Sequence, residues 1–109
     1  MNSMLMFLLH CRWSYGILLY EIFTLGCSPY PSIAADQLLK LLNIGYRMEK
    51  PKHISKALYD VINSCWHTNP SDRPTFCDLA KKLESFITYP EFKDHCMDFE
   101  KMFADYQDL

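Results

Sequence analysis

The sequence predicts an all-α fold, and three observations support that prediction. Four segments carry apolar residues at helical spacing, and a glycine or proline stands soon after each of them. No segment alternates apolar and polar residues over more than a few positions, as a half-buried strand would. Half of the 109 residues are hydrophobic and 15% are aromatic, so the composition is that of a folded chain. We therefore expect one small helical domain, or part of a larger one.

The first predicted helix spans Trp13 to Leu25, and Gly26 directly behind it suits a helix C-terminus. Nearly all its side chains are apolar, which is typical of a helix buried at the centre of a larger protein. Residues 1–12 are also apolar, but they lack the positive start and small-residue cleavage site of a signal peptide. A membrane span is not predicted, because the apolar run through Leu25 crosses His10, Arg12, Ser14 and Glu21.

The second predicted helix is short and follows a rigid loop. The loop, residues 28–32, contains two prolines, and the helix is predicted over residues 36–43, which carry four leucines. Gly45 provides its stop signal. The connector after it, residues 47–53, contains Pro51, which disfavours a helix there.

The third and fourth predicted helices each have a recognisable start. Ser55 is placed to cap the third helix, whose apolar stripe ends at Trp66. The fourth is predicted over residues 76–87, where apolar side chains follow the i, i+3, i+4, i+7 rule. Thr75, with Asp78 three positions later, has the spacing of a capping box.

Charge divides the chain into regions and excludes one class of protein. The net charge of −2 argues against a nucleic-acid-binding protein, which normally shows a basic face. Residues 89–109 contain six acidic residues and two lysines, so we expect an apolar leader at 1–12, a helical domain at 13–88 and an acidic tail at 89–109. Apolar residues recur in the tail at near-helical spacing, which leaves two alternatives, a marginal amphipathic helix or a solvated tail.

The cysteines do not predict a metal site. There are five of them, scattered along the chain, and no cysteine or histidine pair has the spacing of a zinc site. We therefore expect no metal ligand among these residues. The same scattered thiols favour a reducing, cytoplasmic setting over an oxidising one.

Four sequence blocks together resemble a known family. They are Trp-Ser-Tyr-Gly-Ile-Leu-Leu-Tyr-Glu-Ile-Phe-Thr-Leu-Gly at 13–26, Ser-Pro-Tyr-Pro at 28–31, Gly-Tyr-Arg-Met-Glu-Lys-Pro at 45–51, and Cys-Trp followed by Arg-Pro-Thr-Phe within 65–76. In order and spacing this resembles the end of a protein tyrosine kinase catalytic domain, in a truncated form. The closest branch is the receptor type that contains the fibroblast and vascular endothelial growth factor receptors. The resemblance covers residues 13–87, about two thirds of the chain.

The resemblance implies a fold and a set of structural motif residues. The four helices would be the last large helices of the C-terminal lobe, with the first as the central buried helix of that lobe. Leu18 and Ile22 would support the hydrophobic column beneath the adenine of the nucleotide, and Arg73 would hold a glutamate at the end of the activation segment. The positions that match family motifs are Trp13, Gly16, Leu18, Ile22, Trp66, Arg73 and Pro74.

Several parts that kinase chemistry needs are missing from the sequence. It has no glycine-rich loop, no Val-Ala-Ile-Lys strand, no His-Arg-Asp catalytic loop, no Asp-Phe-Gly and no Ala-Pro-Glu. We therefore predict no catalytic, cofactor-binding or metal-binding residue in this chain, although the intact family uses ATP and magnesium. The chain is predicted to be catalytically inactive by itself.

The absence of Ala-Pro-Glu leaves Arg73 without the glutamate that the family provides. We expect Arg73 to turn towards solvent, or to pair with Asp72, Asp78 or Glu84. A buried arginine with no partner would otherwise cost about 3–5 kcal/mol of stability.

Two functions remain open from the sequence. The first is a fragment of a receptor-type tyrosine kinase domain, whose partners would be the missing kinase segments or an intact kinase. The alternative is a non-catalytic helical interaction module that binds kinases or their substrates. The intact receptor would be a single-pass membrane protein with this part on the cytoplasmic side. Tyr106 lies in the acidic tail, where receptor kinases often carry phosphorylated docking sites, and is a candidate phosphosite.

Overall fold

A computed structural model describes residues 3–88 and shows a helical protein with no β-strand in that range. The all-α prediction is confirmed. The elements in chain order are α1 at Ser3–Phe23, α2 at Ala35–Asn43, α3 at Lys56–Ser64, a single 3₁₀ turn at Pro70–Asp72, and α4 at Phe76–Thr88. The acidic tail and Tyr106 lie outside the described residues.

Helix α1 starts earlier than its sequence pattern indicated. It begins at Ser3, ten residues before Trp13, so the expected start was wrong. The cause is local, because residues 3–12 contain no proline or glycine and are rich in leucine and methionine, which favour helix. The predicted role of Gly26 at the C-terminus of this helix is confirmed. Leu25 and Gly26 both have positive φ, 57° and 85°, and the Gly26 N–H donates to the carbonyl of Glu21 at 2.7 Å.

The core lies between α1 and α3. Its most deeply buried side chains are Trp66, Leu58, Ile62 and Cys65. Tyr15, Tyr20 and Tyr59 pack against this core with part of each ring exposed. One face of α1 therefore behaves as the sequence indicated for a central, buried helix.

The opposite face of α1 is exposed rather than buried. Leu18 is 49% exposed and Ile22 is 54% exposed, so this chain leaves open a face of the helix that the larger protein was expected to bury. An isolated apolar side chain on a surface is ordinary, whereas Leu18 and Ile22 are neighbours on one face of the helix.

Both predicted helix starts in the second half of the chain are confirmed. The Ser55 hydroxyl accepts a hydrogen bond from the backbone N–H of Leu58 at 3.1 Å, which caps α3. At the start of α4, the N–H of Thr75 donates to the Asp78 carboxylate at 3.2 Å, and the N–H of Asp78 donates to the Thr75 hydroxyl at 3.0 Å. This reciprocal pair is the capping box that the spacing predicted.

Helix α2 stands apart from the core. It contains no buried residue, Leu39 is 65% exposed, and Ile44 just after it is 81% exposed. Within residues 3–88, none of the helices combines the length and the apolar character that crossing a lipid bilayer requires.

Candidate functional site

Arg73 is buried where the 3₁₀ turn meets α4. Arg73 is only 9% exposed, and its side chain donates hydrogen bonds to two backbone carbonyls. Nε donates to the carbonyl of His67 at 3.0 Å, and Nη1 donates to the carbonyl of Leu9 in α1 at 3.1 Å. The guanidinium therefore joins two distant parts of the chain.

This placement corrects the sequence-based expectation for Arg73. It is buried rather than turned to solvent, and its guanidinium donates to backbone carbonyls rather than to Asp72 or Asp78. Asp72 lies 3.7 Å from the His67 imidazole, and Asp78 caps α4. The physical reason is that carbonyl oxygens can accept charge-assisted hydrogen bonds, so a buried guanidinium can be satisfied without a carboxylate.

A second arginine lies close by. Arg47 donates from Nε to the carbonyl of Trp66 at 2.7 Å and from Nη1 to the carbonyl of Leu42 at 3.0 Å. Its Nη2 is 3.3 Å from the Thr68 hydroxyl. Sequence reasoning placed Arg47 only in a connector. Its membership of the Gly-Tyr-Arg-Met-Glu-Lys-Pro block was the one signal that could have marked it.

Trp13 is the common platform for both arginines. The guanidinium carbon of Arg47 and that of Arg73 each lie 4.9 Å from the centroid of the Trp13 ring, within the range of a cation–π contact. Burial lowers the pKa of Arg73 from its usual value, and the positive charge of Arg47 lowers it further. Arginine stays protonated at physiological pH even so, which means that two positive charges share one small site.

The two guanidiniums border a groove between α1, α2 and the 3₁₀ turn. Its volume is about 410 Å³, and its lining includes histidine, serine, asparagine and threonine side chains but no carboxylate. The lining residues are His10, Trp13, Ser14, Leu39, Leu42, Asn43, Arg47, Thr68 and Arg73. A positively charged groove with hydrogen-bond donors and no acidic lining is suited to an anion such as a carboxylate.

The other motif residues lie in three different places. Gly16 and Trp66 meet at the crossing of α1 and α3. Leu18 and Ile22 lie on the exposed face of α1, away from that crossing. Pro74 directly follows Arg73 and lines a separate groove of about 650 Å³ between α3 and α4. Of the seven positions, the structure thus brings only Trp13 and Arg73 together in the charged groove.

Among residues 3–88, no three histidine, cysteine or acidic side chains are grouped closely enough to hold a metal ion.

Comparison with known proteins identifies the family. A sequence profile described as protein tyrosine and serine/threonine kinase matches residues 11–83, a range that starts two residues before Trp13. The chain is 45% identical over 83 residues to a fibroblast growth factor receptor of Strongylocentrotus purpuratus, which covers 76% of this chain and 8% of that protein. It is 48% identical over 75 residues to the tyrosine-protein kinase receptor torso of Bombyx mori, covering 69% of this chain and 9% of that protein.

The chain spans less than a tenth of the length of these relatives. The range shared with the family contains the matched sequence blocks and most residues of the helices and the charged groove. The chain belongs to the protein tyrosine and serine/threonine kinase family, and it is a fragment of a receptor-type tyrosine kinase domain.

Proposed function

We propose that this chain is the anchoring part of a kinase C-terminal lobe, which holds the activation segment in place but performs no chemistry. The observation that carries the proposal is the groove in which Arg47 and Arg73 share the Trp13 ring with no carboxylate in the lining. A glutamate from an activation segment would supply the missing negative charge. In the intact family, the segment so anchored takes part in ATP- and magnesium-dependent phosphorylation of protein tyrosine.

The motif positions receive roles under this proposal. Gly16 and Trp66 hold α1 against α3, and Pro74 fixes the turn between Arg73 and α4. Leu18 and Ile22 are exposed on α1 because they are the positions that would support the hydrophobic column of a complete domain. None of them contacts a reacting group, so each role is structural.

The chain alone is expected to be inactive. Phosphoryl transfer is accelerated by positioning and by metals and fixed cations that stabilise negative charge. The sequence contains neither the carboxylates that hold magnesium nor a glycine-rich loop for the phosphates. A radiolabel assay with ATP, magnesium and a tyrosine-rich peptide should give no signal above a blank without protein, and measurable turnover would contradict this.

The anchoring role can be tested with two peptides. We would titrate the chain with a peptide containing Ala-Pro-Glu and with a matched Ala-Pro-Gln peptide, and follow Trp13 and Trp66 fluorescence. The glutamate peptide should bind about tenfold more tightly, because a charge-assisted hydrogen bond is stronger than a neutral one. High salt should reduce the difference. Equal binding of the two peptides would show that the groove does not select a carboxylate.

A second candidate function is a non-catalytic interaction module that binds a kinase or its substrate. The observation in its favour is α2, which has no buried residue and exposes Leu39, with Ile44 and Tyr46 following. A pull-down with an intact receptor kinase distinguishes the two candidates. Retention that is lost in a Leu39→Glu/Ile44→Glu variant would favour the module, and no retention would remove it.

The cellular location and the partners of the chain are inferred from its relatives. As part of a receptor kinase, it would lie on the cytoplasmic side of the plasma membrane, with the remaining kinase segments or an intact kinase as partners. Its net charge of −2 favours no nucleic-acid partner. Tyr106, in the acidic tail, is proposed as a phosphorylated docking site, which phosphopeptide mapping after incubation with an active receptor kinase would test.

A further inference from the structure

The groove between α3 and α4, called here the α3–α4 groove, has an apolar floor. Its volume is about 650 Å³, within the range of roughly 300–1,000 Å³ that binding pockets usually have. Helix α3 contributes Ala57 and Val61 to the lining, and α4 contributes Leu79 and Phe86. Val61, Leu79 and Phe86 also belong to the hydrophobic core. An apolar segment placed in the groove would therefore extend the core outwards.

The edges of the groove carry a small excess of positive charge. Lys81 and Lys82 lie on its α4 side, and both are exposed. Two carboxylates also line it, but each already has a partner: Asp60 lies 2.9 Å from the ammonium of Lys56, and Asp78 caps α4. Together these edges hold three lysines and two carboxylates. An apolar floor between such edges suits a segment that is both apolar and acidic.

The acidic tail of this same chain, residues 89–109, has that composition. It contains six acidic residues and two lysines, a net charge of −4. Its apolar residues recur at intervals of four, three and four positions, at Phe92, Cys96, Phe99 and Phe103. The charge and the apolar stripe of the tail thus complement the edges and the floor of the α3–α4 groove.

The tail also starts at the groove and is long enough to lie along it. Helix α4 ends at Thr88, two residues after Phe86, and Pro90 disfavours a continuation of the same helix. The α4 wall of the groove, from Asp78 to Phe86, is about 12 Å long, whereas 21 residues span about 30 Å even when fully helical. A chain that reverses direction near Pro90 can therefore reach every part of the groove.

We propose that the acidic tail folds back and packs its apolar stripe into the α3–α4 groove of its own chain. The covalent connection favours this occupant, because a short tether gives an effective concentration in the millimolar range. The family profile matches only as far as residue 83, so Phe86 and the tail both lie beyond it. The contact is independent of the anchoring role proposed above, since the α3–α4 groove and the charged groove are different surfaces.

Hydrogen exchange of the full 109-residue chain, read by mass spectrometry, tests the proposal. Amides of residues 90–104 should exchange about tenfold more slowly than in a free chain, since a millimolar effective concentration keeps even a weak contact mostly closed. In Lys81→Glu/Lys82→Glu these amides should return to the free-chain rate, because the edge would then repel the acidic tail. The matched control is Lys40→Glu/Lys52→Glu, which makes the same change of charge at exposed lysines away from the groove and should keep the protection.

A second variant keeps the test decisive if the first one fails to fold. Phe99→Ser/Phe103→Ser leaves the groove itself unaltered, so the α3 amides should stay protected while residues 90–97 lose their protection. The last turn of α4, residues 85–88, should also exchange faster, because the tail would no longer cover it. A helix formed by the tail alone would not protect that turn.

Four results would overturn the proposal. The first is a tail that exchanges at the free-chain rate in the wild type, which would show that it is solvated. The second is unchanged tail protection in a folded Lys81→Glu/Lys82→Glu variant. The third is a last turn of α4 that exchanges equally in the wild type and in Phe99→Ser/Phe103→Ser. The fourth is protection that rises with protein concentration, since the groove would then hold the tail of a second copy.

Discussion

Gly16 in α1 and Trp66 after α3 approach each other so closely that no side chain fits between them. A Cβ at Gly16 would lie 2.6 Å from Nε1 of Trp66 and 2.7 Å from the Cβ of Cys65. Trp66 and Cys65 are fully buried, and the Trp13 and Tyr20 rings lie 6.5 Å and 6.2 Å from the Trp66 ring. Neighbours on all sides leave the indole little room to move away.

We predict that Gly16→Ala destabilises the protein by about 1–3 kcal/mol, because the added methyl overpacks this crossing. The loss should outweigh the gain in helix propensity, which is at most about 1 kcal/mol. Urea unfolding followed by tryptophan fluorescence measures the change. Ser14→Ala, at an exposed position of the same helix, serves as the control and should shift stability by no more than about 0.5 kcal/mol. An unchanged midpoint for Gly16→Ala would contradict the close packing.

We predict that Arg73→Lys destabilises the protein by about 2 kcal/mol although it keeps the charge. A lysine ammonium cannot bind the carbonyls of His67 and Leu9 and also lie flat against Trp13 as the guanidinium does. Thermal or urea unfolding gives the measurement, with Lys52→Arg at an exposed position as the control for a change of cation. If both variants unfold like the wild type, the two carbonyl contacts contribute nothing to stability.

We predict that removing the cap of α4 in Thr75→Ala costs about 1 kcal/mol. The Thr75 hydroxyl accepts from the N–H of Asp78, so its loss removes the capping partner of an N–H in the first turn. Ser71→Ala, at an exposed position where the hydroxyl caps no helix, is the control. The comparison is made by urea unfolding at neutral pH, and equal midpoints would show that the capping box does not stabilise α4.

The same box predicts a pH dependence. The hydrogen bonds from Thr75 hold the pKa of the Asp78 carboxyl below its usual value. Since the pKa is lower in the folded state, Asp78 contributes stability above the unfolded pKa, about 3.9, and this contribution is lost as the pH falls through the folded pKa. Asp78→Asn should therefore be less stable than the wild type at pH 6, and the gap should close towards pH 3. Glu49→Gln, an exposed carboxylate, is the control, and a gap that does not change with pH would contradict the assignment.

We predict that Cys65 resists alkylation in the folded protein while Cys77 reacts. Burial raises the pKa of the Cys65 thiol to about 11, whereas Cys77 is exposed. The thiolate is the nucleophile, so a short iodoacetamide pulse at pH 8 followed by peptide mass mapping should label Cys77 and spare Cys65. Both should react after denaturation in guanidinium, which is the control. Labelling of both at equal rates in the native protein would contradict the burial.

The raised pKa of Cys65 also fixes the direction of an alkaline effect. A folded pKa above the unfolded one gives stability that is complete below the unfolded pKa, 9.0, and is lost as the pH rises through about 11. Cys65→Ala should therefore flatten the fall in stability between pH 9 and 11, apart from a constant cost for the cavity that it leaves. A fall of the same steepness in both proteins would assign the alkaline effect to other groups.

The features that the sequence predicted well are those set by neighbours along the chain. The caps at Ser55 and at Thr75 with Asp78 were predicted because each bond joins residues three positions apart. The C-terminal role of Gly26 was predicted because a positive φ favours glycine. The start of α1 at Ser3 was not predicted, because the matched blocks begin at Trp13. The apolar residues before Trp13 carry no start or stop signal of their own.

The candidate site could be predicted only in part. Trp13 and Arg73 were marked by the resemblance, but their contact joins positions 60 residues apart and is invisible in any local pattern. Arg47 was missed for the same reason, as its bond to the Trp66 carbonyl depends on how the connector returns to α3. Charge counting along the sequence suggested carboxylate partners for Arg73, and it could not anticipate that backbone carbonyls would take their place.

The sequence by itself determined the helical class, the order of the helices, two of their caps and the kinase family, because these depend on local periodicity and on matched blocks. Only the tertiary structure decided that Arg73 is satisfied by the carbonyls of Leu9 and His67 and shares Trp13 with Arg47. It also decided which side of α1 is buried, since a helix that is apolar on nearly every side carries no sequence signal for the face that meets the core. The exposed side that results carries Leu18 and Ile22.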